Sequence, residues 1–454
     1  MRKGVQRLNQ MTATDTKDMT TGNPVRLLLA FSMPLMLGNL FQQLYTFVDA
    51  LIVGQCVGAN ALAALGAVEW LTFIMFGVIQ GITQGSSVVV ARFFGEKKTD
   101  SMKRAVYAGY LTAAVGSVLL AAAGQALLVP ALRMLRTPPE LFGLTQTYLR
   151  ILYAGVPVTF LYNIAAAVLR ALGNSRKPLA AMVIASVVNI ALDFIFVVQL
   201  HMGIAGAAYG TVLAQIMAAA YCLAAIRKIP VCRLGREDRI VDRSILAEQL
   251  RMGIPMGVQH IITAAGGLVV QATVNGFGVL FLTGYAAANK VYVLLEIAAA
   301  SYGHGILTYT AQNKGTGDDR RIWNGLFAAL GISIVTALMM SGIMLFGGRD
   351  IVGIFIRETE SGAGGMIQTG YRYLCVLAIG FPLLYCLYVF RACIQGMGDS
   401  LIPMLSSFMQ VLMRVACAVF LTRMIGHDGV FWGEVLAWVG ADLFLVIRLL
   451  RIRK

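Results

Sequence analysis

The chain has 454 residues, of which 58% are hydrophobic and only 13% charged, with a formal net charge of +15. Soluble proteins usually carry about a quarter of their residues as charges, so this composition argues against a soluble enzyme or a nucleic-acid-binding domain. The surplus of Lys and Arg is what the positive-inside rule produces in a multi-pass membrane protein.

The apolar residues come in repeated runs of about 20, the length that crosses a bilayer as a helix. Helices satisfy their own backbone polar groups inside lipid, so the expected fold class is an all-α integral membrane protein. Residues 1–24 form a polar N-terminal segment without the apolar core of a signal peptide, leaving the first span to direct insertion. Twelve transmembrane helices are predicted, at 25–52, 60–90, 102–127, 141–168, 178–200, 204–227, 245–275, 281–310, 322–347, 369–395, 402–423 and 429–450. Basic residues test this division. They cluster before the first span (Arg2, Lys3, Arg7, Lys17, Arg26), in alternate loops (Arg92, Lys97, Lys98; Arg170, Arg176, Lys177; Lys228, Arg233, Arg236, Arg239; Lys314, Arg320, Arg321) and at the end (Arg451, Arg453, Lys454). The other loops hold few, chiefly Arg133, Arg136, Arg349, Arg357 and Arg423. That alternation places both termini in the cytoplasm of an inner (plasma) membrane protein. Seven isolated cysteines with no CxxC pair read as small core residues.

The charged stretch 228–244 falls at the midpoint and divides an N-lobe (25–227) from a C-lobe (245–450), with a short tail at 451–454. The two halves repeat. Ala91-Arg-Phe-Phe-Gly95 matches Ala311-Gln-Asn-Lys-Gly315, and Pro34 and Pro157 match Pro255 and Pro382. Arg170-Ala-Leu-Gly-Asn-Ser-Arg-Lys-Pro178 matches Arg391-Ala-Cys-Ile-Gln-Gly-Met-Gly-Asp-Ser-Leu-Ile-Pro403. An even number of spans per half implies two six-helix lobes related by a pseudo-two-fold axis along the membrane normal, as in several secondary transporters.

Ionisable residues inside spans are few: Asp49, Glu69, Asp193, Lys290, Glu296, Arg391, Arg414, Glu434 and Asp442. Each is a functional candidate, because a charge facing hydrocarbon is costly. Asp193 lies in ASVVNIALDFIFVV with Asn189 one helical turn before it, so the two share a face. Asp49 lies about four turns beyond Pro34, where a helix bend would move it. Glu434 and Asp442 are expected to find partners at a helix end or in the basic tail, and Glu296 to go with Lys290. Carried across the repeat, Asn189 falls opposite Arg414 and Asp193 opposite an apolar position, so the halves share a scaffold but not a charge. The Gly-rich Gly81–Ser87 stretch has no preceding strand and reads as helix packing through small residues. Four dispersed histidines and the lack of a phosphate-binding loop argue against an enzyme or an ATP-driven pump.

The stretches TTGNPVRLLLAFSMPLMLGNLFQQLYTFVDALIVGQCVGANALAALG, VVVARFFGEKK, VLRALGNSRKP and VVNIALDFIFV followed by GIAGAAYGT resemble the multidrug and toxic compound extrusion (MATE) transporters, prokaryotic DinF-like branch. The resemblance implies an antiporter without a cofactor, exporting small organic, cationic amphipathic compounds against an inward H⁺ or Na⁺ gradient, as a monomer in the bilayer and without nucleic acid. It implies cation or proton coupling at Asp49, Tyr148, Asn189, Asp193 and Thr211, with Pro34 as the bending proline; Na⁺ would be held at Asp49, Asn189, Asp193 and Thr211. A lipid-linked saccharide flippase of the same superfamily, which would need a strongly cationic cleft, and a channel are the alternatives.

Overall fold

The computed structural model describes residues 16–356 and 362–453. Arg2, Lys3, Arg7, Arg357 and Lys454, used above in the charge pattern, lie outside the described residues. Within them, all the regular structure is helical: α1 (Pro24–Cys56), α2 (Ala59–Gly95), α3 (Thr99–Met134), α4 (Pro139–Ala154), α5 (Val156–Ala171), α6 (Arg176–Asp193), α7 (Gly203–Lys228), α8 (Arg243–Asn275), α9 (Val279–Thr316), α10 (Asp319–Ile354), α11 (Ala363–Gly396), α12 (Leu401–Ala416), α13 (Thr422–Ile425) and α14 (Asp428–Arg453), with a single 3₁₀ turn at Pro230–Cys232. A π-helical turn, Phe194–Gln199, prolongs α6, and another, Cys417–Leu421, joins α12 to α13.

Among the described residues, ten helical stretches are long and apolar enough to cross a membrane, and α4 with α5 makes an eleventh. The sequence predicts a single span there, 141–168, with Pro157 inside it. The chain bends by 49° at Gly155, just ahead of Pro157, which has no N–H for the helical ladder. The last helix, α14, has 26 residues, enough for a twelfth pass, and carries Glu434, Asp442 and Arg448 along it. Large apolar side chains stand on the outside, Leu119 at 66% and Phe346 at 91% exposure, as a lipid-facing surface requires. All seven cysteines are free; four are buried, whereas Cys56 is exposed and Cys375 and Cys386 are half-buried, so the reading of all seven as core holds for four.

By packing, the chain forms two compact units. The first is built mainly on Met33–Gly257, with the segment ending at Thr21 and Ala311–Gly317; the second comprises Gly22–Ser32, Val258–Thr310 and Asp318–Lys454. The boundaries cut α1, α8 and α9, and the charged linker lies within the first unit.

Inside the first unit, α2 and the start of α8 touch backbone to backbone. A Cβ on Gly81 would stand 2.1 Å from the Gly257 nitrogen, and one on Gly85 2.4 Å from that of Gly253. Two glycines one turn apart on each helix therefore face each other, the small-residue packing that brings membrane helices closest. Beside this contact Gln249 is buried, donating to the Ala105 carbonyl at 2.7 Å. Arg92 binds Glu248 and Glu96. The segment before α1 docks on the same unit: the Lys17 N–H donates to the Leu172 carbonyl at 2.9 Å and the Met19 N–H to Gln312 Oε1 at 2.8 Å.

The repeat is also visible in the backbone. Gly173 and Gly398 both take positive φ, 76° and 98°. Each is followed by a side-chain carbonyl or carboxyl that caps the next helix: Asn174 Oδ1 accepts from the Lys177 N–H, and Asp399 Oδ1 from that of Ile402. Both halves then place a π turn after the helix so started.

The linker is tied down rather than loose. Asp238 accepts from the Gly235 N–H at 2.7 Å and pairs with Lys103 at 3.2 Å. The Gly235 N–H and the Lys103 ammonium hold its carboxyl below the usual carboxylate range. A lowered value of this kind contributes stability above the ordinary carboxyl range, and that contribution is lost as the pH falls through the lower folded value. Asp238→Asn is therefore expected to speed tryptic cleavage at Arg233, Arg236 and Arg239 at neutral pH; an unchanged digestion rate would show the tie to be unimportant. Gly81→Ala is expected to cost about 1–3 kcal/mol by overpacking, measured as a lowered melting temperature in detergent. Gly66→Ala on the same helix, where a Cβ meets nothing within 4 Å, serves as the control and should melt like the parent.

Candidate functional site

Asp193 ends the regular part of α6, at the point where the helix widens into its π turn. Such turns are frequent at functional positions because the extra residue redirects side chains. Asp193 is fully buried and Asn189 is 1% exposed. Both point toward Gly210 of α7, where a Cβ would come within 2.4 Å of Asp193 Oδ1 and 3.6 Å of Asn189 Nδ2. The bare glycine is what gives the carboxyl room to lie between α6 and α7.

From α1, Asp49 turns inward, 7% exposed, and its carboxyl stands beside that of Asp193, within electrostatic range. Among the described residues, neither carboxyl is supplied with a protein donor. Asp49 Oδ1 and both carboxyl oxygens of Asp193 are sealed from solvent without a hydrogen-bond partner, as are both polar atoms of Asn189. The sequence led to an amide holding the carboxyl on its own helix face. The structure keeps the shared face but makes no Asn189–Asp193 bond, because both groups aim at the same space beside Gly210.

Tyr148 of α4 is 8% exposed and stands within electrostatic range of both acids. Of the residues singled out from the sequence, Asp49, Tyr148, Asn189 and Asp193 therefore gather in one place. Thr211 follows Gly210 and is half-buried, with no hydrogen bond to the acids among the described residues. Pro34 lies within α1, which continues as helix through it. Glu69 is exposed and takes no part. Two residues escaped the sequence reading. Tyr45, one turn before Asp49, is within electrostatic range of both acids; its i−4 position was a usable signal. Gly210 gave none, since its role is to lack a side chain.

Two carboxyl groups that face each other at about 4 Å repel by about 4 kcal/mol when both are ionised at an effective dielectric constant of about 20. One proton between them, or one small cation with the Asn189 carbonyl as a further oxygen ligand, removes that repulsion. No group of three or more His, Cys, Asp or Glu residues able to hold a metal occurs among the described residues.

Glu434 and Glu296 of the second unit behave differently. Glu434 pairs with Arg414 of α12, not with the helix end or basic tail the sequence suggested; Arg448, near the end of α14, is engaged by Asp399 at 2.9 Å. Glu296 accepts from the Tyr388 hydroxyl at 2.9 Å, while Lys290, its expected companion, lies over the Phe355 ring. These acids have protein partners; the first-unit acids have only each other.

A fold of this kind has known counterparts. The MatE family model matches residues 34–195 and 255–420, one stretch in each half. The probable multidrug resistance protein YpnP of Bacillus subtilis is 28% identical over 419 residues, covering 92% of each chain. The multidrug export protein MepA of Staphylococcus saprophyticus is 21% identical across 94% of each. Among solved structures, the outward-facing conformation of a multidrug resistance MATE family transporter of the MOP superfamily aligns with a TM-score of 0.90 at 20% identity, over 96% of this chain and 98% of that one. A MATE crystal structure in the bent conformation aligns with a TM-score of 0.88, also at 20% identity, over 96% and 97%. With the family model matching well over half of its length, the chain belongs to the MatE family of multi-pass multidrug efflux transporters.

Proposed function

We propose that this protein is a secondary antiporter of the plasma membrane, exporting small organic, cationic amphipathic compounds in exchange for H⁺ (or Na⁺) entering through the first unit. The observation that carries the reading is the buried Asp49–Asp193 pair, which has no protein donor among the described residues and so needs a positive occupant. Asn189, Tyr148 and Thr211 complete the surroundings with amide and hydroxyl groups. Both termini are cytoplasmic, and the protein acts as a monomer.

Exchange follows from a single requirement. Ion and substrate drive each other only when each prefers a different conformer. The ion favours the conformer in which the two carboxyls stay together, because it removes their repulsion. When the ion leaves to the cytoplasm the pair is driven apart, and α1, whose ladder is already interrupted at Pro34, is the helix whose bend moves Asp49. Substrate release and ion entry on the outer side restore the pair.

In vesicles given a proton gradient alone, then a sodium gradient alone, wild-type protein should export fluorescent organic cations under one of them. Asp193→Asn should fold and insert yet fall to the level of empty vesicles under both; full transport by that variant would end this reading. Gly210→Ala should lower gradient-driven export as strongly as loss of the carboxyl, since the new methyl group would occupy the space of Asp193 Oδ1. Export unchanged in that variant would show that the close approach of α7 to Asp193 is dispensable.

A further inference from the structure

Helices α11, α12 and α14 of the second unit carry a ladder of polar groups that ion exchange at Asp49 and Asp193 leaves unused. Ser406, Gln410 and Arg414 recur at one-turn spacing on α12, and Glu434 and Asp442 lie two turns apart on α14, against which α11 and α12 both pack. The first rung is closed: Arg414 and Glu434 form an ion pair, each side chain about a tenth exposed. The second rung is open. Arg391 of α11 gives its Nε–H to Ser406 Oγ at 3.0 Å and an Nη2–H to Gln410 Oε1 at 2.8 Å. Ser406 spends its own hydrogen on the Pro403 carbonyl at 2.7 Å, so its oxygen acts as an acceptor only. Asp442 is 7% exposed, and both of its carboxyl oxygens are sealed from solvent without a hydrogen-bond partner, although Arg391 stands within electrostatic range.

An ionised carboxylate in that position would be a buried charge while Arg391, the cation within its electrostatic range among the described residues, is bonded elsewhere, at a cost of several kcal/mol. A neutral carboxylic acid carries no such cost. We propose that Asp442 is a second proton-binding site, separate from Asp49 and Asp193, which holds its proton while Arg391 is bound by Ser406 and Gln410 and releases it when Arg391 turns to pair with the carboxylate. The balance is simple: one proton passes to water, Arg391 stays charged throughout, and two bonds to neutral acceptors are exchanged for a charge-assisted pair. The groups that face this rung are Arg391 and Cys386 from α11, Arg414 from α12 (its charge already met by Glu434), Cys417 from the π turn packed on Gly433, and Glu434 on α14 itself. His260 of α8 stands within electrostatic range of Arg391. A metal cation is a poor occupant here, because the Arg391 charge repels it. The site shares no residue with the first-unit acids, so it stands whichever ion drives export.

The test is infrared difference spectroscopy of the full chain in lipid nanodiscs, titrated from about pH 5 to about pH 9 to follow the C=O stretch of protonated carboxyls. Asp442→Asn should remove one band that Asp49→Asn and Asp193→Asn each leave in place. Arg391→Gln removes the countercharge, so that band should persist to a pH higher by about one unit or more, while Arg391→Lys keeps it near its wild-type position. An Asp442→Asn spectrum that superimposes on wild type, or a band that Arg391→Gln does not move, would overturn the proposal. Failure of the first-unit variants to lose transport would leave these bands untouched, so the two readings fail separately.

Discussion

A carboxyl group taken out of water must be given a donor, a counter-ion or a proton, and the internal organisation of this transporter follows from how each of its acids meets that demand. Glu434 is met by Arg414 and Glu296 by the Tyr388 hydroxyl. Asp49 and Asp193 are given only each other. Two groups of the same charge cannot satisfy one another, which is why the proposed exchange places between them a positive particle that the chain does not supply. In the proposed exchange such a site would bind an ion strongly in one arrangement of its helices and weakly in any arrangement that separates the acids. Coupling to a gradient requires that property.

The surrounding packing makes the pair hold its place. α7 offers Gly210 where any side chain would push Asp193 aside, and the π turn after Asp193 redirects the helix at that point. Elsewhere in the same unit, α2 and the start of α8 meet through glycines with no side chain between them. Contacts of this closeness tolerate no added methyl group, and they give membrane helices dispersion contact that Leu-on-Leu packing in lipid does not supply. The segment before α1 adds hydrogen bonds from Lys17 and Met19 to the same unit.

The two halves show how one scaffold was turned to two electrostatic ends. Gly173 and Gly398, Asn174 and Asp399, and Pro178 and Pro403 keep one constant spacing, and each half follows them with a π turn. At the register of Asn189, however, the second half has Arg414, whose charge Glu434 neutralises. Duplicate backbones with different charges cannot perform the same exchange, so the donor-free pair belongs to the first half alone.

Much of this was legible in the chain itself. Hydropathy settled the helical membrane fold, because the length of an apolar run and the cost of an unpaired backbone are local properties. The repeat was legible because turns and caps depend on Gly, Pro and Asn at set positions, and Asp193 stood out because a charge in an apolar run always needs an explanation. The partners of Glu434 and Glu296, the orphaned amide of Asn189, and the approach of Gly210 were decided only in three dimensions. Each depends on what a neighbouring helix presents at one depth in the membrane, and residues far apart in the chain carry no local sign of which of them will meet.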